Sequence, residues 1–191
     1  MEIHIRKATP ADAKYIALLA RITFREAFGH VWDKDVLVNY LATTFSVQKM
    51  ESSLQKENNV FWLAFADGLP VGYLKLKKHC PYNTIEDPAP AQLQKIYVLN
   101  DFIGNTIGEK LQNEAFNELQ TLDKETLWLA VWDGNPKAIC FYEKHGFYKH
   151  SKYHYDFERM SFDYEIMVKE FKKDSTKKTT ARAFAKQERL Q

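Results

Sequence analysis

A chain of 191 residues, 45% apolar and 27% charged, is long enough to bury one substantial core and too short for two ordinary domains. With 14% aromatic residues against seven glycines and six prolines, it is neither collagenous nor low in complexity. The net charge of +2 hides a division: residues 172–191 carry seven Lys/Arg against two acids, so residues 1–171 stand at −3.

The two cysteines, Cys80 and Cys140, lie outside any CxxC or Cys/His spacing, which favours a reducing compartment. The N-terminus lacks the basic-then-apolar layout of a secretion signal, and no apolar run nears the roughly 18 residues of a spanning helix. A cytoplasmic location without membrane attachment is expected.

In chain order, residues 2–8 alternate as a strand around Ile3 and Ile5. Thr9-Pro10-Ala11-Asp12 then supplies a capping hydroxyl, a first-turn proline and an acid at the third position. The helix that follows places Ile16, Leu19, Ala20, Thr23, Phe24 and Ala27 on one face and ends at Gly29. Two shorter helices are expected over 33–45 and 46–56. Strands at 60–66 and 71–77 around Asp67-Gly68-Leu69-Pro70 read as a hairpin. Residues 79–91, with three prolines, read as a loop.

A strand at 92–98, a helix at 104–122 and a strand at 126–132 make a parallel crossover unit. A helix at 135–145, stopped by Gly146, precedes strands at 147–150 and 160–171. The pattern is a mixed α/β fold with one domain over 1–171. The basic tail at 172–191 is expected to be solvated, with at most a marginal helix over 181–190.

Two stretches carry chemistry. In residues 93–111, LQKIYVLNDFIGNTIGEKL, a strand passes through a short loop into a helix at a glycine. The unpaired N–H groups of such a helix start and the helix dipole suit a pyrophosphate. Gly104 and Gly108 could equally serve only the turn and close helix packing. In residues 128–147, WLAVWDGNPKAICFYEKHGF, a second strand leads into a helix that contains Tyr142.

Asn135, Ala138, Phe141-Tyr142 and Gly146-Phe147 after their strand resemble the second acetyl-CoA motif of the GNAT acyltransferase superfamily. Ile96-Tyr97-Val98 through Gly108 resembles its first. The segments ITFREAF, NYLATTF and WLAVW are most similar to the bacterial spermidine/spermine N-acetyltransferase branch. The resemblance implies a mostly antiparallel sheet with a central parallel strand pair, flanked by helices. It also implies acetyl-CoA as cosubstrate and direct acetyl transfer to a primary amine, a polyamine or other small amine, by a monomer or homodimer.

The resemblance places cofactor contacts at Ile96, Tyr97, Val98, Ile103, Gly104, Asn105, Thr106, Ile107, Gly108, Glu109, Asn135 and Lys144. Direct transfer needs oxyanion donors and an acid for the departing thiolate. The implied donors are the backbone N–H groups of Tyr97 and Val98, and the implied acid is Tyr142. Asn135 either contacts the cofactor arm or caps its own helix, and Lys144 either reaches phosphate or is a solvated helix lysine.

The chain departs from the superfamily pattern at Ile103, where Gln or Arg is usual, and at Thr106, where Gly is usual. Gln92 and Gln94 stand where relatives often have strand carboxylates, so no general base is assigned. Glu26, Asp33 and Asp133 are candidates to attract a cationic acceptor. Each, like Glu86 and Asp87, could instead be a plain surface acid.

His145, His150 and His154 fit no common ligand spacing, and no metal is expected. Cys140 lacks a His/Asp partner pattern and reads as a packing thiol. Trp128 and Trp132 read as core and groove wall. Two other functions remain open: acetylation of protein or peptide N-termini, and non-catalytic acyl-CoA binding, motivated by Ile103, Thr106 and the glutamines. The tail alone could support contact with nucleic acid, but no recognition motif accompanies it and such a partner is not expected.

Overall fold

The computed structural model describes residues 1–171, and the expectation for the tail at 172–191 lies outside them. Within the described residues seven strands form one sheet in the order β1-β2-β3-β4-β5-β7-β6. The strands are β1 (Ile3–Lys7), β2 (Asn59–Ala66), β3 (Leu69–Lys77), β4 (Ala91–Val98), β5 (Thr126–Trp132), β6 (Tyr148–Phe157) and β7 (Met160–Glu170). All neighbours are antiparallel except β4 and β5, which the crossover helix α4 (Ile107–Thr121) connects.

One face of the sheet is covered by α4 and α5 (Pro136–Lys144). Leu74, Leu76, Leu93, Leu127 and Leu129 pack there with Ile107, Leu111, Ala115 and Leu119 of α4. The opposite face is covered at one end by α1 (Ala13–Phe28), α2 (Lys34–Thr44) and α3 (Val47–Leu54). Ile16, Leu19 and Phe24 of α1 meet Phe61, Leu63 and Tyr73 there. The loop at 79–90 covers the other end, where Cys80, Tyr82 and Ile85 lie against Trp128, Ile166 and Val168.

The hairpin turn is tighter than expected. Asp67 and Gly68 both have positive φ, +48° and +82°, as a two-residue primed turn requires, and β3 already starts at Leu69. The strand expected at 147–150 runs on to Phe157 as β6. Its sequence, YKHSKYHYDF, is largely exposed because β6 is an edge strand, so an apolar alternation never marks it.

The α1 start is fixed by charge. Asp12 receives two hydrogen bonds of 2.8 Å from the Arg6 guanidinium, a third of 2.8 Å from the Thr9 N–H and a fourth of 3.1 Å from the Thr9 hydroxyl. The Arg6 hydrogen bonds lead in holding this carboxyl well below the usual carboxylate range, against the opposing effect of burial. Its contribution to stability is therefore complete above about pH 4 and is lost as the pH falls below that. Asp12→Ala should lower unfolding stability by about 2–3 kcal/mol at pH 7 in urea titrations, with a smaller loss near pH 2. An equal loss at both pH values would contradict this reading.

Candidate active site

The centre of the sheet does not close. β4 and β5 pair only at Ala91↔Leu127 and Gln92↔Trp128. Beyond those residues β4 follows β3 and β5 follows β7, so the two strands part toward their C-terminal ends. The Leu99 N–H donates to the Val71 carbonyl on β3 at 2.9 Å. Strand alternation then turns the Tyr97 N–H toward β3 and the Ile96 and Val98 N–H groups into the gap. Of the two expected oxyanion donors, Val98 thus faces the gap; Ile96 joins it in place of Tyr97.

A bulge in β4 changes which side chains meet. Lys75 lies opposite Lys95 and Leu76 opposite Leu93, leaving Gln94 as the extra residue. Leu93, Ile96 and Val98 consequently pack on the α4 side, while Lys95 and Tyr97 lie on the α1 side.

Where β4 ends, a short turn at Asn100–Phe102 leads through Ile103 and Gly104 to α4. Gly104 has φ +90° and Thr106 has φ +60°, ψ +5°. The helix expected from Gly104 starts only at Ile107, because this left-handed pair turns the chain first. Among the described residues, none of the N–H groups at 104–109 has a protein acceptor; the first helical bond is Lys110 N–H to the Thr106 carbonyl. The Ile103 side chain is exposed and the Ile107 side chain is fully buried in the core under α4. Asn105 donates to the Phe102 carbonyl at 3.2 Å, and Glu109 is exposed on the first turn. Gly108 sits beneath the Phe141 ring, where a Cβ would be in ordinary contact at 3.7 Å. Outward N–H groups at a helix start form an anion cradle.

Where β5 ends, Asn135 caps α5 by accepting the Ala138 N–H at 3.1 Å, so its carbonyl oxygen is engaged in the helix. Tyr142 lies in α5 and packs against the same α4-side core as Ile96 and Val98, with ring centroids 5.4 Å from Phe141 and 5.6 Å from Phe147. Its hydroxyl makes no hydrogen bond among the described residues, and burial pushes the phenol well above its ordinary range. The Tyr97 phenol is raised the same way and lies within electrostatic reach of Tyr142, Tyr40 and Tyr164. Both phenols are neutral at any working pH. Lys144 is exposed.

Across the gap on the α1 side, Ala130 is exposed in the middle of central strand β5, flanked on the same face by Trp128 and Trp132. The helices α1–α3 cover this face on one side of Ala130 and the loop at 79–90 covers it on the other, leaving Ala130 uncovered between them. Trp132 is 5.8 Å from Phe28, and Trp32 stacks on Phe162 at 5.7 Å.

The three candidate acceptor acids do not converge. Glu26 accepts the Asn100 N–H at 3.1 Å, tying α1 to the end of β4. The Asp33 carboxylate is paired with Arg159 at the tip of the β6–β7 hairpin, and its N–H faces the Met160 sulfur at 3.4 Å. Asp133 is exposed, with its N–H on the Asp163 carbonyl. No sequence motif marks Lys95, Tyr40 or Tyr164 as a site residue. The adjacent polar pair Gln94-Lys95 inside an alternating strand is the signal that marks the bulge.

The three histidines have separate partners: His145 the Phe141 carbonyl, His150 Thr84, and His154 Asp163 and Asp156. Among the described residues no group of three or more His, Cys, Asp or Glu could hold a metal ion, and no helix is long and apolar enough to cross a membrane.

Residues 23–147 match the model of the acetyltransferase (GNAT) family. An uncharacterised N-acetyltransferase in the pepI 3′ region of Lactobacillus delbrueckii subsp. lactis is 26% identical over 151 residues, 79% of this chain and 87% of that protein. Among solved structures, PaiA N-acetyltransferase from Thermoplasma acidophilum, in complex with coenzyme A, superposes with TM-score 0.72 at 23% identity, covering 90% of this chain and all of that one. A ribosomal-protein-alanine N-acetyltransferase from Brucella melitensis gives 0.67 at 22% identity, covering 88% and 99%.

Thr106 pays for its left-handed backbone, since a β-branched side chain there costs about 1–2 kcal/mol. Glycine removes that strain but adds about 0.5–1 kcal/mol of unfolded-state entropy. Thr106→Gly should therefore raise the thermal midpoint, a gain of about 0.5–1 kcal/mol. A lowered midpoint would show that the Thr106 side chain stabilises the loop.

Proposed function

The chain belongs to the acetyltransferase (GNAT) family, and from that premise we propose that it transfers the acetyl group of acetyl-CoA directly to a small primary amine. The observation that carries this reading is the parted strand pair. Its free Ile96 and Val98 N–H groups lie on the strand that leads into the unpaired N–H groups at 104–109, and Tyr142 packs on the same core with its phenol within electrostatic reach of Tyr97. An extended chain bearing amide groups can pair with such a strand as an added strand would, and its pyrophosphate suits the helix start. Acetyl-CoA supplies the activated thioester.

The residues then divide the work. The backbone donors in the gap stabilise charge developing on the thioester oxygen. Tyr142, kept protonated by burial, hands its proton to the departing sulfur and recovers one from the newly acylated nitrogen, whose ammonium is far more acidic than a phenol. Asn135 holds α5, and hence Tyr142, in register through its cap. Gln92 lies on the acceptor side and can orient an amine without taking its proton.

The resemblance implies a polyamine among the acceptors, with Glu26, Asp33 and Asp133 as the candidate acids to attract it. Two of these carboxylates are already engaged, so that finer assignment rests on Asp133 alone. The general reading, a primary amine, does not depend on it.

Calorimetric titration with acetyl-CoA should give a measurable heat, and thiol release should follow with a suitable amine. Tyr142→Phe should lower kcat by roughly a hundredfold or more and leave acetyl-CoA affinity within about twofold. No heat, tight binding without transfer across a broad amine panel, or an unimpaired Tyr142→Phe protein would overturn the proposal.

A further inference from the structure

Four side chains make a compact patch on the acceptor side of β3 and β4. Tyr73 lies directly opposite Tyr97, their rings stacked at 5.8 Å, and Lys75 lies directly opposite Lys95. Two like charges face to face across a strand pair repel each other. Here the repulsion is set in a low-polarity place. The Lys95 ammonium is 6.0 Å from the Phe24 ring and 5.8 Å from Phe45, and the Lys75 ammonium is 5.2 Å from Phe61. Among the described residues neither lysine has a carboxylate partner, and the Tyr73 hydroxyl, on a side chain 2% exposed, has no hydrogen-bond partner.

Three hydrogen-bonding groups without an acceptor thus sit side by side. Burial leads in lowering both ammonium groups to about 8, with Lys77, Lys95 and Lys56 adding to the effect at Lys75. Both therefore remain largely charged at neutral pH, and an anion placed between them would hold them so and offset the cross-strand repulsion. The patch also adjoins the reacting gap: Tyr97, two residues along the strand from Lys95, has its phenol within electrostatic reach of Tyr142. A second ammonium on the acceptor would meet two cations there, whereas a carboxylate would meet donors only.

Resting on the amine-acetyltransferase reading above, we propose that the acceptor carries a carboxylate that docks against Lys95 and Lys75, which makes it an amino-acid-like amine rather than a polyamine. Lys95 and Lys75 are then specificity-determining residues of the acceptor site, and Tyr73 supplies a neutral donor beside them.

The test uses the full chain with acetyl-CoA and amines in matched pairs that differ only by the carboxylate: lysine with cadaverine, and phenylalanine with phenethylamine, with spermidine as a third arm. The carboxylated member of a pair should show kcat/KM higher by roughly tenfold or more, the worth of a desolvated charge-assisted hydrogen bond. In Lys95→Met, and separately in Lys75→Met, that ratio should fall toward unity, and Lys95→Arg should restore part of it. A parallel titration with N-acetylphenylalanine reads the carboxylate contact without turnover and should lose its heat in Lys95→Met. Turnover in which cadaverine, phenethylamine or spermidine is preferred, or a ratio unchanged in both methionine variants, would overturn the inference and leave the transferase reading standing. Absence of turnover with every amine, alongside Lys95-dependent binding of N-acetylphenylalanine, would defeat the transferase reading and support the carboxylate site. Absence of both would defeat the two together.

Discussion

Backbone amides in the middle of a sheet are costly to leave unpaired, and here a central strand pair is held by only two residues a side before it parts. The division persists because each strand has a full antiparallel partner on its outer side, β3 for β4 and β7 for β5. Helix α4 spans the seam: its buried residues Leu111 and Leu119 share one core with Leu74 and Leu76 of one half and Leu127 and Leu129 of the other. Packing therefore keeps the halves together where hydrogen bonding does not. Everything assigned to the donor side follows from this opening, since both βα turns emerge at the same end of the parted pair, where ligands of open α/β sheets bind.

The acceptor side is built differently, from rings and neutral hydroxyls. Trp32 contacts Tyr40 at 4.8 Å, Phe157 at 5.4 Å and Phe162 at 5.7 Å, so the α1–α2 junction and the β6–β7 hairpin are joined by an aromatic contact. The exposed Asp33–Arg159 pair is secondary to it, because surface ion pairs add little. The charge balance of −3 over residues 1–171 invites the expectation of a cationic acceptor, but a net charge does not say which sign lines a groove. On β3 and β4 the charged side chains that face each other on the α1 side are the lysines Lys75 and Lys95.

Much of the fold was legible because it rests on local patterns. The α1 stripe, the Asp67-Gly68 hairpin and the strand-helix-strand crossover were all readable from residue spacing. The length of β6 was not, because an edge strand with both faces largely wet carries no apolar alternation. The site was legible as a set of segments and not as a geometry. Plain alternation from Gln92 groups it with Gln94, whereas the bulge takes Gln94 out of step and puts Lys95 and Tyr97 on the same face as Gln92. The fates of Glu26 and Asp33 depend on partners 74 and 126 residues away, which no local pattern reveals. Thr106 stood out as a departure from the superfamily pattern, and its left-handed backbone explains why glycine is the usual occupant.

The parted strand pair is tested most directly by amide hydrogen exchange followed by NMR, with and without coenzyme A. In the free protein the Ile96 and Val98 amides should exchange fast and the Tyr97 amide, turned toward β3, should exchange slowly. Coenzyme A should slow Ile96, Val98 and the amides at 104–109 together. Slow exchange at all three strand positions before any addition would contradict an open gap, and so would exchange at 96, 98 and 104–109 that saturating coenzyme A leaves unchanged.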